Sequence, residues 1–262
     1  MNDRVEMLNR FYDGIGEDAR LQRSRSGQLE YVTTMHFIHK TAPERGRIIE
    51  IGAGTGRYSV ALAKEGYEVD AVELAERNYE LLVQNASGLD NLRPHRGDAL
   101  HLEGFCSDTF DMTLLFGPLY HLYDEDDQMT ALREAVRVTK PGGVIITAFL
   151  SVHVILYDNY LREDLAAGLE ENFTKEYRVR HFTDQLFTGF NVDEFEALFR
   201  ELPVTPVTTA AANGILELAE NRKDFVMSDA DFKRYADYHL HFCEKRELLG
   251  SSSHLLHICR KR

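Results

Sequence analysis

Five residues of little side-chain bulk, Gly52-Ala53-Gly54-Thr55-Gly56, and a carboxylate at Glu73 are the groups of this 262-residue chain best spaced to bind a ligand. A turn of this kind lets a ligand lie against main-chain N–H and C=O groups, because almost no Cβ stands in the way. A carboxylate in register with the turn can accept hydrogen bonds from a ribose diol. The flanking segments are those that would hold both groups in place. Arg47 to Ile51 has the β-branched density of a buried strand, and Arg57 to Glu65 resumes with helical spacing. Tyr67 to Glu73 reads as a second strand that ends in the carboxylate. Strand, bare turn, helix and strand together make a nucleoside-binding βαβ unit.

The glycine spacing narrows the nucleoside. A dinucleotide fingerprint is G-x-G-x-x-G, with a third glycine where helix and strand pack tightly. Here the spacing is G-x-G-x-G and the sixth position is Arg57. In this respect the chain resembles the class I methyltransferases that use S-adenosylmethionine, whose first motif is an acidic residue followed by G-x-G-x-G. Glu50 stands where that family has its acidic residue. The cofactor has no pyrophosphate to cradle but carries an ammonium and a sulfonium, charges that a carboxylate beneath the turn suits.

The resemblance implies roles further along. Asp98 is placed to accept from the adenine amino group, although an Asp after a Gly is also an ordinary turn residue. Leu74 is placed to press on one adenine face. The apolar strand Phe110 to Phe116 leads into Gly117-Pro118, a turn where the reactive methyl should lie. The expected cofactor-binding set is therefore Tyr12, Glu50, Gly52, Ala53, Gly54, Gly56, Glu73, Leu74, Asp98, Ala99, Phe116 and Gly117. The exit of the fourth strand lacks the Asn/Asp-Pro-Pro-Tyr signature of enzymes acting on nucleobase amines or glutamine amides. Its Gly117-Pro118-Leu119-Tyr120-His121-Leu122 resembles instead a bacterial group of methyltransferases with no assigned acceptor. The resemblance extends to Lys140-Pro141-Gly142-Gly143, and to Tyr238-His239-Leu240 followed by Gly250-Ser251-Ser252-Ser253-His254.

His121 is the first candidate for a general base, since an imidazole titrates near working pH. The competing reading is a ring packed at a strand exit and bonded to a backbone carbonyl. Tyr120 and His254 are further catalytic candidates, with His153 and Tyr157 weaker ones. The run Asp124-Glu125-Asp126-Asp127 reads as a helix cap. His239 and Cys243 lie four apart on an expected helix but lack further ligands at suitable spacing, so no metal is expected.

The 30 basic and 43 acidic side chains leave a net charge of −13, a field that repels polyanions. No apolar run is long enough to suggest a membrane span. The acceptor expected is a small molecule, with neither nucleic acid nor membrane as partner. Three cysteines without metal-type spacing read as reduced thiols of a cytoplasmic protein.

The fold expected is α/β and Rossmann-like, a seven-stranded, mostly parallel sheet with its last strand antiparallel. Strands are expected near 47–51, 67–73, 91–96, 110–116, 143–149, 203–209 and 254–260. Residues 1–46 form a helical cap, and residues 47–262 the methyltransferase domain, with lid insertions near 150–190 and 215–250 that would roof the cofactor. The first helix, around Phe11 and Tyr12, is expected to be mobile until cofactor orders it. The activity implied is methyl transfer to nitrogen, oxygen or sulfur. The alternatives are a non-catalytic cofactor-binding module, or an NAD-dependent oxidoreductase, which the missing third glycine disfavours.

Overall fold

A computed structural model describes residues 3–14, 20–161, 164–181 and 186–262. Parts of the expected cap (1–2 and 15–19) and of the first insertion (162–163 and 182–185) lie outside the described residues. The chain opens with α1 (Asp3–Gly14), α2 (Arg20–Arg23) and α3 (Arg25–Thr41). Alternation then begins with β1 (Arg47–Ile51), α4 (Arg57–Lys64), β2 (Glu68–Glu73), α5 (Glu76–Asn85), β3 (Leu92–Arg96) and β4 (Phe110–Leu115). It continues with α6 (Glu125–Val138), β5 (Thr139–Leu150), α7 (Val152–Asn159), α8 (Leu165–Asn172), α9 (Val192–Ala197) and β6 (Val204–Ala211). The last elements are α10 (Leu216–Glu220), α11 (Asp229–Phe242), α12 (Arg246–Leu249) and β7 (His254–Lys261).

The seven strands form one sheet in the order β3-β2-β1-β4-β5-β7-β6. Strands β1 to β5 pair in parallel, and β7 runs antiparallel to both β5 and β6. The central strands are apolar because both faces are covered, so Ile48, Ile49, Met112, Leu114, Val144 and Ile146 are all buried. The strand order reverses between β1 and β4, so their exit loops diverge at the carboxyl edge and leave a crevice there.

One local feature brings the crevice walls together. Gly52 has φ +81°, and a Cβ there would stand 2.2 Å from the Phe116 carbonyl oxygen. Only glycine fits that approach of one exit loop to the other. A second feature, at the amino end of β5, departs from the expected strand at 143–149: the strand takes in the segment Pro141-Gly142-Gly143. Helix α6 stops at Val138, and β5 begins at once and runs through it, with a register shift against Phe110 and Met112. Gly142, at φ +78°, absorbs the irregularity.

The acidic run behaves as a cap: the Asp124 side chain accepts from the N–H groups of Asp126 and Asp127. The aromatic series of the second insertion packs on α3, where Phe225, Met227, Phe232 and Tyr235 surround Leu29, Leu216 and Ala236. His239 is taken up by the Ala211 carbonyl, and Cys243 lies within hydrogen-bonding reach of Leu240.

Candidate functional site

The turn after β1 is a run of left-handed glycines, with φ +81°, +56° and +88° at Gly52, Gly54 and Gly56. Such a run aims successive N–H groups to one side. Glu73 locks it in place: Gly54 N–H donates to Oε2 and Ala75 N–H to Oε1, each at 2.7 Å. A Cβ on Gly54 would meet nothing within 4 Å, so the turn faces open space at that residue.

The cleft beside the turn brings together Gly52, Gly54, Glu73 and Leu74 with Asp98 and Ala99 from beyond β3, and Phe116 and Gly117 from beyond β4. Tyr12, Tyr120 and His121 also reach it. Three residues of the expected set do not. Ala53 and Gly56 shape the turn from behind. A Cβ on Gly56 would come 2.4 Å from Leu82 Cδ1, so this glycine lets the start of α4 pack against α5. Glu50 lies beneath the turn, 1 % exposed, and accepts a hydrogen bond from the Ser59 hydroxyl. Burial pushes its carboxyl up to about 8, and the nearby Glu73 adds to the rise.

His121 differs most from expectation. Its ring is 5 % exposed, and burial pulls its pKa down to about 4. The Leu186 carbonyl can only accept, so Nδ1–H donates to it at 2.8 Å, and the bare Nε2 accepts from the Tyr12 hydroxyl at 2.9 Å. A neutral imidazole with both nitrogens engaged does not present the free base expected of it. Instead it ties α1 to the first insertion. His153 and Tyr157 face outward on α7 and are exposed.

The insertions also sit differently from expectation. Both were expected to roof the cofactor. Helix α1 covers the cofactor cleft, supplying Arg4, Leu8 and Tyr12. Arg4 forms an ion pair with Asp98, the carboxylate expected to meet adenine. About 70 Å³ remains open in that cleft, below the roughly 300 Å³ at which ligand pockets begin. The insertions wall a second cavity of about 740 Å³, which shares Tyr12 and Tyr120 with the first. The first insertion contributes Val154, Ile155, Asn172 and Phe187, and the second contributes Glu217. His254 lines this larger cavity, as does Glu30 of α3.

Sequence reasoning passed over Glu30 and Arg4. The signal for Glu30 was its place among Ser26, Thr33, Thr34 and Phe37, a buried stripe at helical spacing where a carboxylate is out of keeping. Nothing in the spacing marked Arg4, whose partner is 94 residues away.

A doubly wound sheet with a glycine turn and a terminal carboxylate at its switch point defines a Rossmann-like nucleoside-binding fold. Residues 48–143 match a family model described as a methyltransferase domain. A demethylmenaquinone methyltransferase of Clavibacter sepedonicus is 35% identical over 141 residues, 52% of this chain and 55% of that protein. The chain spans about half the length of the curated relatives it matches. Among solved structures, a SAM-dependent methyltransferase from Thermotoga maritima has a TM-score of 0.59 at 19% identity, covering 99% of this chain and 100% of that one. A 1,6-didemethyltoxoflavin-N1-methyltransferase of Burkholderia thailandensis, solved with S-adenosylhomocysteine bound, has a TM-score of 0.58 at 16% identity, over 98% and 86% of the two chains. At such identities the likeness establishes the fold. Over residues 48–143 the chain carries a match to a methyltransferase domain, and over its length it shares the fold of solved SAM-dependent methyltransferases.

Proposed function

We propose that the protein transfers a methyl group from S-adenosylmethionine to a nitrogen, oxygen or sulfur nucleophile on a small molecule. The observation that carries this reading is the junction at Tyr12 and Tyr120, where the glycine-turn cleft meets a cavity large enough for a second reactant. Small acceptors have precedent in the relatives named for demethylmenaquinone and for 1,6-didemethyltoxoflavin. The charge of −13 argues against nucleic acid. Among the described residues no helix is long and apolar enough to cross a membrane. A cytoplasmic site of action agrees with the free thiols of Cys106, Cys243 and Cys259.

The residues present fit the cofactor. Glu73 would take the ribose hydroxyls, Leu74 and Ala99 would flank the adenine, and Asp98 would take its amino group once Arg4 yields. Gly52, Gly54, Phe116 and Gly117 would face the methionine half, with the Glu50 carboxyl, protonated at neutral pH in the empty site, buried below it. When bound, S-adenosylmethionine supplies an electrophilic methyl on a positively charged sulfur. The chain's own work is alignment and exclusion of water. Tyr120 stands between the two chambers, and His121 holds Tyr12 beside it.

Calorimetry tests the reading. S-adenosylmethionine should bind in the micromolar range, on the order of −8 kcal/mol, and NAD should not bind. Preference for NAD would overturn the proposal. Tight cofactor binding with no methyl transfer to any acceptor would favour a binding module.

A further inference from the structure

Among the described residues, the acidic and basic side chains that line the larger cavity are, His254 aside, all carboxylates. Glu30, Asp158, Glu171 and Glu217 line it, and no lysine or arginine does so among the described residues. An anionic acceptor would have no countercharge there, whereas a cation would have several. The carboxylates are not spread evenly. Glu30, from α3, and Glu217, from α10, approach the same atom, each 3.8 Å from His254 Nδ1. The Glu30 side chain is only 10 % exposed, and Glu217 is oriented by the Asn213 amide at 2.8 Å and by the Ser253 hydroxyl. These groups come from three separate parts of the chain.

Their position relative to the cofactor cleft is given by a third, smaller void of about 50 Å³. Glu30 and His254 line it together with Phe116 and Tyr120. Phe116 and Tyr120 are also walls of the cofactor cleft. The buried carboxylate and the imidazole therefore adjoin the glycine-turn cleft through Phe116 and Tyr120. Leu150, Val154, Ile155 and Phe187 give the larger cavity an apolar share of its lining.

Building on the methyltransferase reading, we infer that the acceptor is a small amine, bound as its ammonium by Glu30 and Glu217, with an apolar body against α7 and Phe187. The nucleophile is the neutral amine, so the ammonium first gives one proton to His254, which passes it to water. The nitrogen lone pair then forms the N–CH3 bond while the S–CH3 electron pair returns to sulfur, leaving S-adenosylhomocysteine and a methylated ammonium. His254, placed among the catalytic candidates by sequence, receives the proton-accepting role that the geometry of His121 does not favour.

The test uses three probes of nearly one shape, 2-phenylethylamine, 2-phenylethanol and 3-phenylpropionate, titrated into the full chain saturated with S-adenosylhomocysteine. The amine should bind at least roughly tenfold tighter than the alcohol, and the propionate more weakly still. Glu30→Gln and Glu217→Gln should each remove most of that preference while S-adenosylhomocysteine affinity holds. Glu30→Asp should restore part of it. Thermal melts of both glutamine variants identify any loss that comes from misfolding, and the second variant then carries the test. Equal binding of alcohol and amine, tighter binding of the propionate, or binding of none of the three overturns the amine assignment and leaves methyl transfer standing. Failure of S-adenosylhomocysteine itself to bind overturns the underlying reading, and is measured first.

Discussion

Glu73 holds the glycine turn with two backbone hydrogen bonds and would also hold the ribose, so its removal costs twice. Glu73→Ala should weaken S-adenosylhomocysteine binding by roughly 1.5–3 kcal/mol, the range for lost charge-assisted hydrogen bonds, as measured by calorimetry. Unchanged affinity would remove the residue from the site. Gly54→Val should abolish binding by filling the cleft, since its Cβ meets no protein atom, with about 1–2 kcal/mol of added strain from φ +56°. Glu50 makes a different prediction. Its carboxyl titrates near 8 in the folded chain and near 4.5 when unfolded. Between those values the unfolded chain has lost the proton and the folded chain keeps it, so stability falls as pH rises from about 4.5 to about 8. Glu50→Gln lacks that loss. Relative to the parent, the cofactor-free variant should gain on the order of 2–4 kcal/mol between pH 5 and pH 8.5, read from melts across that range. A pH-independent difference would show that Glu50 is not buried as its geometry indicates. At this scale the turn, Glu73 and Asp98 were legible because their spacing is local to βαβ units. The engagement of His121 was not, because Leu186 and Tyr12 lie 65 and 109 residues away from it in sequence.

Among elements, the central parallel strands β1, β2, β4 and β5 were legible because strands buried on both faces read as apolar runs between turn residues, and β3, β6 and β7 from their place in the alternation. Where β5 begins was not, because a bulge and a turn share the Pro-Gly-Gly composition. The destination of α1 was only half legible: its aromatic residues suggested a cover, but not that the cover would fill the cleft. Helix α1 reaches the site through Arg4 on Asp98 and Tyr12 on His121, so ligand entry requires it to shift. Arg4→Ala should speed association of S-adenosylhomocysteine several-fold in stopped-flow traces, by weakening the latch. Hydrogen exchange over residues 3–14 should change on ligand addition while residues 143–149 stay as they were. Identical exchange with and without ligand, together with an unaltered association rate, would make α1 plain scaffold.

The whole molecule adds the long-range field. A charge of −13 attracts a sulfonium cofactor and an ammonium acceptor alike. Association of S-adenosylmethionine should slow as salt rises from about 0.01 to 0.15 M, where the Debye length contracts from about 30 to 8 Å. An association rate indifferent to salt would confine the electrostatics to the pocket.

The division of labour between the two chambers has a consequence for inheritance. The family match ends at residue 143 and begins at 48, yet Tyr120 is the one wall of the larger chamber that falls inside it among the described residues. On the proposed reading, the glycine turn and most of the acceptor chamber are thus written in separable stretches of gene, with α1 serving both. A lineage can rewrite α1, α3 and the segments after β5 and arrive at a new acceptor without disturbing the glycine turn. The same seam is where a chimera should be cut: a relative's 48–143 grafted here, with Tyr120 kept, should import that relative's cofactor affinity and leave the acceptor preference of this chain in place.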